Sequence, residues 1–132
     1  MIMTIDNNML ILVVDDFTTM RKILVNLLTK IGFNNIEEAE DGSTALTKIS
    51  KKKYNLVISD WNMEVMGGLE LVKEIRSSDN PNIKSIPFIM VTGENKPEQL
   101  IKAKQAGVNN YIIKPFNMET LQNKISAVFG GI

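Results

Sequence analysis

Apolar residues in this chain fall into two rhythms that take turns along its length. Leu10 to Val14 is an unbroken run of leucine, isoleucine and valine, which predicts a strand buried on both faces. Met20, Ile23, Leu24, Leu27, Leu28 and Ile31 then recur three and four residues apart, the spacing of a helix, and Gly32 supplies its stop. A weaker second strand is expected at Asn35 to Ala39. A short helix follows from about Asp41 and carries Ala45, Leu46 and Ile49. Leu56 to Ser59 predicts the third strand, and Gly68 to Arg76 the third helix, with Leu69, Val72 and Ile75 marking its apolar face. Phe88 to Val91 is the fourth strand. The fourth helix opens at Pro97 and closes at Gly107, the asymmetry expected of those two residues. Tyr111 to Ile113 is a brief fifth strand. The last helix starts after Asn117, a good N-cap, and sets Met118, Leu121, Ile125 and Val128 toward the core.

Five strands alternating with five helices on short loops predict an α/β fold, with a parallel sheet covered on both faces by right-handed crossovers. Five units suit an open, doubly wound sheet and are too few for an eight-stranded barrel. At 132 residues the chain is expected to be one domain over 1–132, without an attached output module. In such folds ligands collect at the carboxyl ends of the strands, so those ends are where chemistry is sought.

Composition narrows the field. Fifteen basic and fifteen acidic residues cancel, which gives no footing for a nucleic-acid partner. Lys51-Lys52-Lys53, the densest basic run, ends a predicted helix and is read as complementing its dipole. The chain has neither cysteine nor histidine, so disulfides, thiolate or imidazole metal sites and a histidine base are excluded. No apolar run reaches the roughly 18 residues that suggest a bilayer span, and Met1 to Asn8 resembles neither a signal peptide nor an anchor. The expected compartment is the cytoplasm, with no membrane insertion.

At the strand ends stand Asp15 and Asp16 after the first strand, Asp60 after the third, Thr92 after the fourth and Lys114 after the fifth. Each has an ordinary explanation by itself. The acid pair could cap a helix, the threonine could start a turn, and the lysine could be a solvated surface residue. Together they are harder to dismiss. Three converging carboxylates repel one another unless a cation joins them, and one helix needs only one cap. Mg²⁺ suits a few carboxylate oxygens and leaves coordination positions for phosphate. Lys114 can bring a compact positive charge to a phosphoryl group. A carboxylate can act as nucleophile and form an acyl phosphate, and Asp60, between the acid pair and Lys114, is the best candidate. The donor must come from elsewhere, because the chain has no histidine and no phosphate-binding Gly-x-x-x-x-Gly-Lys loop.

These residues resemble the response-regulator receiver family over nearly the whole chain, from Leu10 to Phe129. The landmarks are Val13-Val14-Asp15-Asp16, Ser59-Asp60-Trp61-Asn62-Met63, Val91-Thr92-Gly93-Glu94 and Tyr111-Ile112-Ile113-Lys114-Pro115-Phe116. The resemblance implies a flavodoxin-like sheet of order 2-1-3-4-5, with Asp60 as phospho-acceptor. It further implies Mg²⁺ held by Asp15, Asp16, Asp60 and the Asn62 carbonyl, phosphoryl contacts from Thr92 and Lys114, and a cis Lys114–Pro115 bond. Asp15-Asp16-Phe17-Thr18-Thr19-Met20-Arg21, Gly32-Phe33-Asn34-Asn35 and Asp60-Trp61-Asn62-Met63 are similar to the chemotaxis branch of that family. So is the bare ending, with only Gly130, Gly131 and Ile132 after the last helix.

By this analogy a chemotaxis histidine kinase is the donor, a flagellar motor switch protein the output partner, and a phosphatase a further partner. Lys96, Leu100, Ala103, Val108, Tyr111 and Lys124 would form the switch and partner surface, with Tyr111 moving inward when Thr92 turns to the phosphoryl group. Glu64 and Gly67 depart from the family, which usually has Pro and Asp or Asn there. The alternatives are a relay that hands its phosphoryl group to a histidine phosphotransfer protein, a small flavin-binding protein, and a degenerate receiver. Asp15 and Asp16 would repel a flavin phosphate, and the complete acid set argues against degeneracy.

Overall fold

The computed structural model describes residues 6–130. Residues 1–5, in the stretch read as free of a signal, and Gly131 and Ile132, in the bare ending, lie outside them. The strands are β1 (Leu10–Val14), β2 (Asn35–Ala39), β3 (Leu56–Asp60), β4 (Phe88–Thr92) and β5 (Asn110–Ile113). The helices are α1 (Thr18–Ile31), α2 (Gly42–Lys51), α3 (Gly68–Arg76), α4 (Pro81–Lys84), α5 (Pro97–Ala106) and α6 (Met118–Val128). The strands form one parallel sheet of order β2-β1-β3-β4-β5, the order the resemblance implied.

Burial follows position in the sheet. β3 and β4 are buried throughout and β1 almost so, as their unbroken apolar runs predict, whereas the edge strands β2 and β5 remain largely half-exposed. Alternate residues of the central strands feed two cores. Ile11, Val13, Ile58, Ile89 and Val91 pack with Leu24 and Leu28 of α1 and Leu121 and Ile125 of α6. Leu12, Val14, Val57, Phe88 and Met90 pack on the other face with Ala45 and Ile49 of α2 and Leu71, Val72 and Ile75 of α3.

Helix ends match their sequence signals at several points. The side chains of Asp41 and Asn117 accept the Thr44 and Thr120 N–H groups at 2.7 and 2.9 Å. Gly32 closes α1 at φ 124° and Gly107 closes α5 at φ 102°, conformations that a Cβ disfavours.

Four expectations need correction. The helices number six among the described residues, because α4 was not anticipated. It is a single turn, too short to show apolar periodicity, started by Asn80, which caps the Asn82 N–H at 3.0 Å, and by Pro81. Met118 is 41% exposed, not in the core. It is the first residue of α6, a turn before Leu121, the first of that helix to be buried. Ile23, counted in the apolar rhythm of α1, is 46% exposed, and Val25 packs on the core instead. In the lysine run, Lys51 ends α2 as expected, but Lys52 is extended and pairs with Glu37 of β2.

Gly68 shows how tightly the end of β3 is packed. A Cβ there would lie 2.3 Å from the Asp60 main-chain oxygen and 2.6 Å from Met90 Sδ. Alanine favours a helix over glycine by at most about 1 kcal/mol, less at a first position, whereas overpacking costs about 1–3 kcal/mol. Gly68→Ala is therefore expected to lower the urea midpoint by the equivalent of about 1–2 kcal/mol with an unchanged m-value. An unaltered or higher midpoint would show that the loop yields freely.

Candidate functional site

Strand register brings the polar residues to one edge of the sheet. Val14 pairs with Ser59, so Asp15 emerges beside Asp60. Asp60 pairs with Val91, which puts Thr92 one step beyond, and Thr92 pairs with Ile113, which puts Lys114 next. The Lys114 N–H donates to the Thr92 carbonyl at 2.8 Å, and the following Lys114–Pro115 bond is cis.

Asp15, Asp16 and Asp60 each offer a carboxylate oxygen within 4.8 Å of the others. Asp15 is 1% exposed and Asp60 7%, while Asp16 is open to solvent. Asp15 Oδ1 accepts the Phe17 N–H at 2.9 Å, but its buried Oδ2 has no hydrogen-bond partner. Burial, and then the neighbouring Asp60 carboxylate, push Asp15 above the usual carboxylate range, against the opposing pull of the Phe17 N–H and Lys114. A buried carboxylate with one orphaned oxygen, clustered with two other acids, is the chemistry of a hard-cation site, so the three residues fit Mg²⁺.

Lys114 occupies the other flank, its Nζ 2.9 Å from Asp60 Oδ1. Thr92 is buried, and its Oγ1 accepts the Glu94 N–H at 3.1 Å, which leaves the hydroxyl proton to be donated elsewhere. Asp60 thus lies between the acid pair and a cation, as the sequence suggested. Asn62 is exposed and lines a cleft of about 540 Å³ with Asp16, Trp61, Met63 and Glu64. It thus shares a cleft with Asp16, which suits the ligand role that the resemblance implied.

The surface expected for output is partly assembled. Leu100, Ala103, Val108 and Tyr111 line a cleft of about 290 Å³ between α5 and β5. Lys124 of α6 lies over the Tyr111 ring, 4.9 Å from its centre. Ala103 is buried, so it forms the floor of this surface and not its exposed face. Lys96 stands apart from the cleft, paired with Glu94 at 3.6 Å. Tyr111 is half-buried and packs on the core shared by α2 and α3.

Two contacts at the site were not read from sequence. The Glu64 N–H reaches Asp16 Oδ2 at 3.3 Å, and Arg21 Nη1 donates to the Asp15 carbonyl at 2.7 Å. Arg21 had one legible signal, a cation near the start of a helix with no acid in its first turn.

Comparison with known proteins points the same way. The sequence profile of the response regulator receiver domain matches residues 11–126. Chemotaxis protein CheY-3 of Vibrio cholerae is 50% identical over 125 residues, 95% of either chain. Chemotaxis protein CheY of Pseudomonas aeruginosa is 46% identical over 121 residues, 92% of this chain and 96% of its own. Among solved structures, CheY4 of Vibrio cholerae superposes with a TM-score of 0.84 at 36% identity, covering 92% of this chain and 98% of that one. The receiver domain of a Pseudomonas aeruginosa sensor histidine kinase, solved with a magnesium ion in its active site cleft, gives 0.83 at 25% identity, with 94% and 99% covered.

The orphaned Asp15 oxygen has a measurable consequence in metal-free protein. A raised folded-state pKa means that ionising Asp15 opposes folding once the pH exceeds the unfolded value near 4, and fully so above the folded value. In EDTA at pH 7, Asp15→Asn should melt at a higher temperature than the wild type, with the gap closing as pH falls toward 4. Equal melting temperatures at pH 7 would mean that the carboxylate is already compensated.

Proposed function

Because the chain belongs to the response regulator receiver domain family, and is a chemotaxis-type regulator within it, we propose that it is switched by phosphorylation of Asp60. The observation that carries this is the position of Asp60 between an unsatisfied acid pair and the Lys114 ammonium. A histidine kinase supplies the phosphoryl group. An Asp60 carboxylate oxygen forms the new bond to phosphorus as the bond to the kinase imidazole nitrogen breaks, giving an aspartyl phosphate and free imidazole.

Asp15, Asp16, Asp60 and the Asn62 carbonyl would hold Mg²⁺, which when bound supplies charge neutralisation for the phosphoryl oxygens. Lys114 is suited to accompany the charge that leaves Asp60, since its Nζ already sits on Oδ1. Thr92 has a hydroxyl proton to offer the same group, since its Oγ1 only accepts in the bond from Glu94. On this reading the receiver catalyses nothing beyond gaining and losing its own phosphoryl group, and it acts through contact with partners.

The output is read by a flagellar motor switch protein on the surface formed by α5, β5 and α6. Support comes from the identity to chemotaxis proteins and from the cleft lined there by Leu100, Val108 and Tyr111. Tyr111 sits half-buried between cleft and core, so a shift of Thr92 on the neighbouring strand can change how far the ring is buried. Such a protein works in the cytoplasm. Among the described residues no helix is long and apolar enough to cross a membrane.

Trp61, the only tryptophan, follows Asp60 directly and reports on the site. Adding MgCl₂ and then a small phosphodonor such as acetyl phosphate should change its fluorescence in two steps. Intact mass should gain one phosphoryl group, and Asp60→Asn should lose the second step and the mass adduct by at least about tenfold. A wild-type protein that gains no adduct, or a mutant that gains as much, would overturn the assignment.

A further inference from the structure

We infer that Arg21, which touches none of the three clustered carboxylates, is the positioning residue that aims the Asp15-Asp16 turn at the metal. The inference rests on the magnesium reading of the site.

Arg21 is the fourth residue of α1, where a cation is poorly placed. The aligned peptide dipoles make that end of the helix positive, no acid lies in its first turn, and Phe17 gives no side-chain cap. The side chain is nonetheless only 14% exposed, and it is held at both ends of its fork. Nε donates to Glu38 Oε1 at 2.9 Å and Nη1 to the Asp15 carbonyl at 2.7 Å. Glu38 is fixed in turn, since Lys22 Nζ donates to its other oxygen at 2.8 Å. Lys22 and then Arg21 hold that carboxyl below the usual range, as expected of an acid already committed to two cations.

The consequence lies at Asp15. Its N–H donates to the Ala39 carbonyl at 3.1 Å, its carbonyl accepts from Arg21, and its Oδ1 accepts from Phe17. Oδ2 is thereby left as the one polar atom of Asp15 without a partner among the described residues, on a carboxylate that belongs to the cluster. The carbonyl that Arg21 holds also belongs to the peptide unit leading into Asp16, so one grip sets the direction of both acids. Without it, two like charges could separate by rotating that peptide.

Charge and positioning predict opposite signs. A guanidinium near a cation site repels the ion, so if Arg21 acted by charge alone its removal would tighten Mg²⁺ binding. If it acts by positioning, removal weakens binding, as loss of the groups that orient metal ligands does, by roughly 10–100-fold. Lysine separates the two, because it keeps the charge but lacks the planar fork needed to reach Glu38 and the Asp15 carbonyl together.

The experiment is an MgCl₂ titration of wild type, Arg21→Ala and Arg21→Lys, followed by Trp61 fluorescence, with melts in EDTA to establish folding. Both variants should bind Mg²⁺ at least about tenfold more weakly than the wild type while melting cooperatively. Should Arg21→Ala fail to fold, Arg21→Lys decides alone. Unchanged affinity in the folded variants, or tighter binding by Ala with Lys like the wild type, overturns the inference. A wild-type protein that binds no Mg²⁺ removes the metal reading itself, an outcome distinguishable from failure of Arg21 alone.

Discussion

Three carboxylates brought within 4.8 Å, one of them with a buried oxygen that nothing among the described residues satisfies, are the constraint around which this structure is arranged. Left to itself such a cluster would separate, because each ionised acid raises the free energy of the others. It persists because Asp15 and Asp60 directly continue strands that are almost wholly buried, and displacing either would disturb hydrogen-bonded backbone in the core. The stability of the sheet thus sustains a local electrostatic conflict, a common origin of binding energy at a functional site. Lys114 relieves the conflict from one side only, through Asp60. Asp15 is left as the acid most in need of a cation.

The same sheet connects this edge to the surface proposed for output. β4 ends in Thr92 and β5 leads into Lys114, and the two strands are joined by a backbone hydrogen bond at those residues. Tyr111 lies three residues before Lys114 on β5, and Thr92 also anchors the start of the loop to α5 through the Glu94 N–H. Thr92 thus ties the sheet edge that carries Asp60 to both walls of the cleft that Tyr111 lines. This short physical connection is why a small chemical event could have a readable surface consequence.

The loop after Asp60 is held at two points. Glu64 stands where the resemblance led proline to be expected, and its N–H, which proline would lack, reaches the Asp16 carboxylate. Further along, the Gly42 N–H is shared between the Val65 and Met66 carbonyls, and Met66 takes a positive φ of 53°. Gly42 admits no side chain there, since a Cβ would lie 2.4 Å from the Met66 oxygen. The loop is thus tied to Asp16 at one point and to the start of α2 at another.

Much of this was legible in the sequence, for local reasons. Unbroken apolar runs marked the central strands and the spacing of Leu24, Leu28, Leu121 and Ile125 marked helix faces, because both follow from backbone periodicity alone. The same logic placed Asp15, Asp16, Asp60, Thr92 and Lys114 on one edge, since each ends a parallel strand. The order of strands came from resemblance to a family and not from any single segment. What only the tertiary structure decided depends on partners distant along the chain. Register determined which acid lies beside which, and packing determined that Asp15 is buried with one oxygen unmatched while Asp16 stays open. Arg21 meets Glu38 seventeen residues away, and α4 is too short to have a period. Met118 shares its helix's apolar rhythm yet lies outside the core, because periodicity fixes the direction of a side chain but not what it will meet.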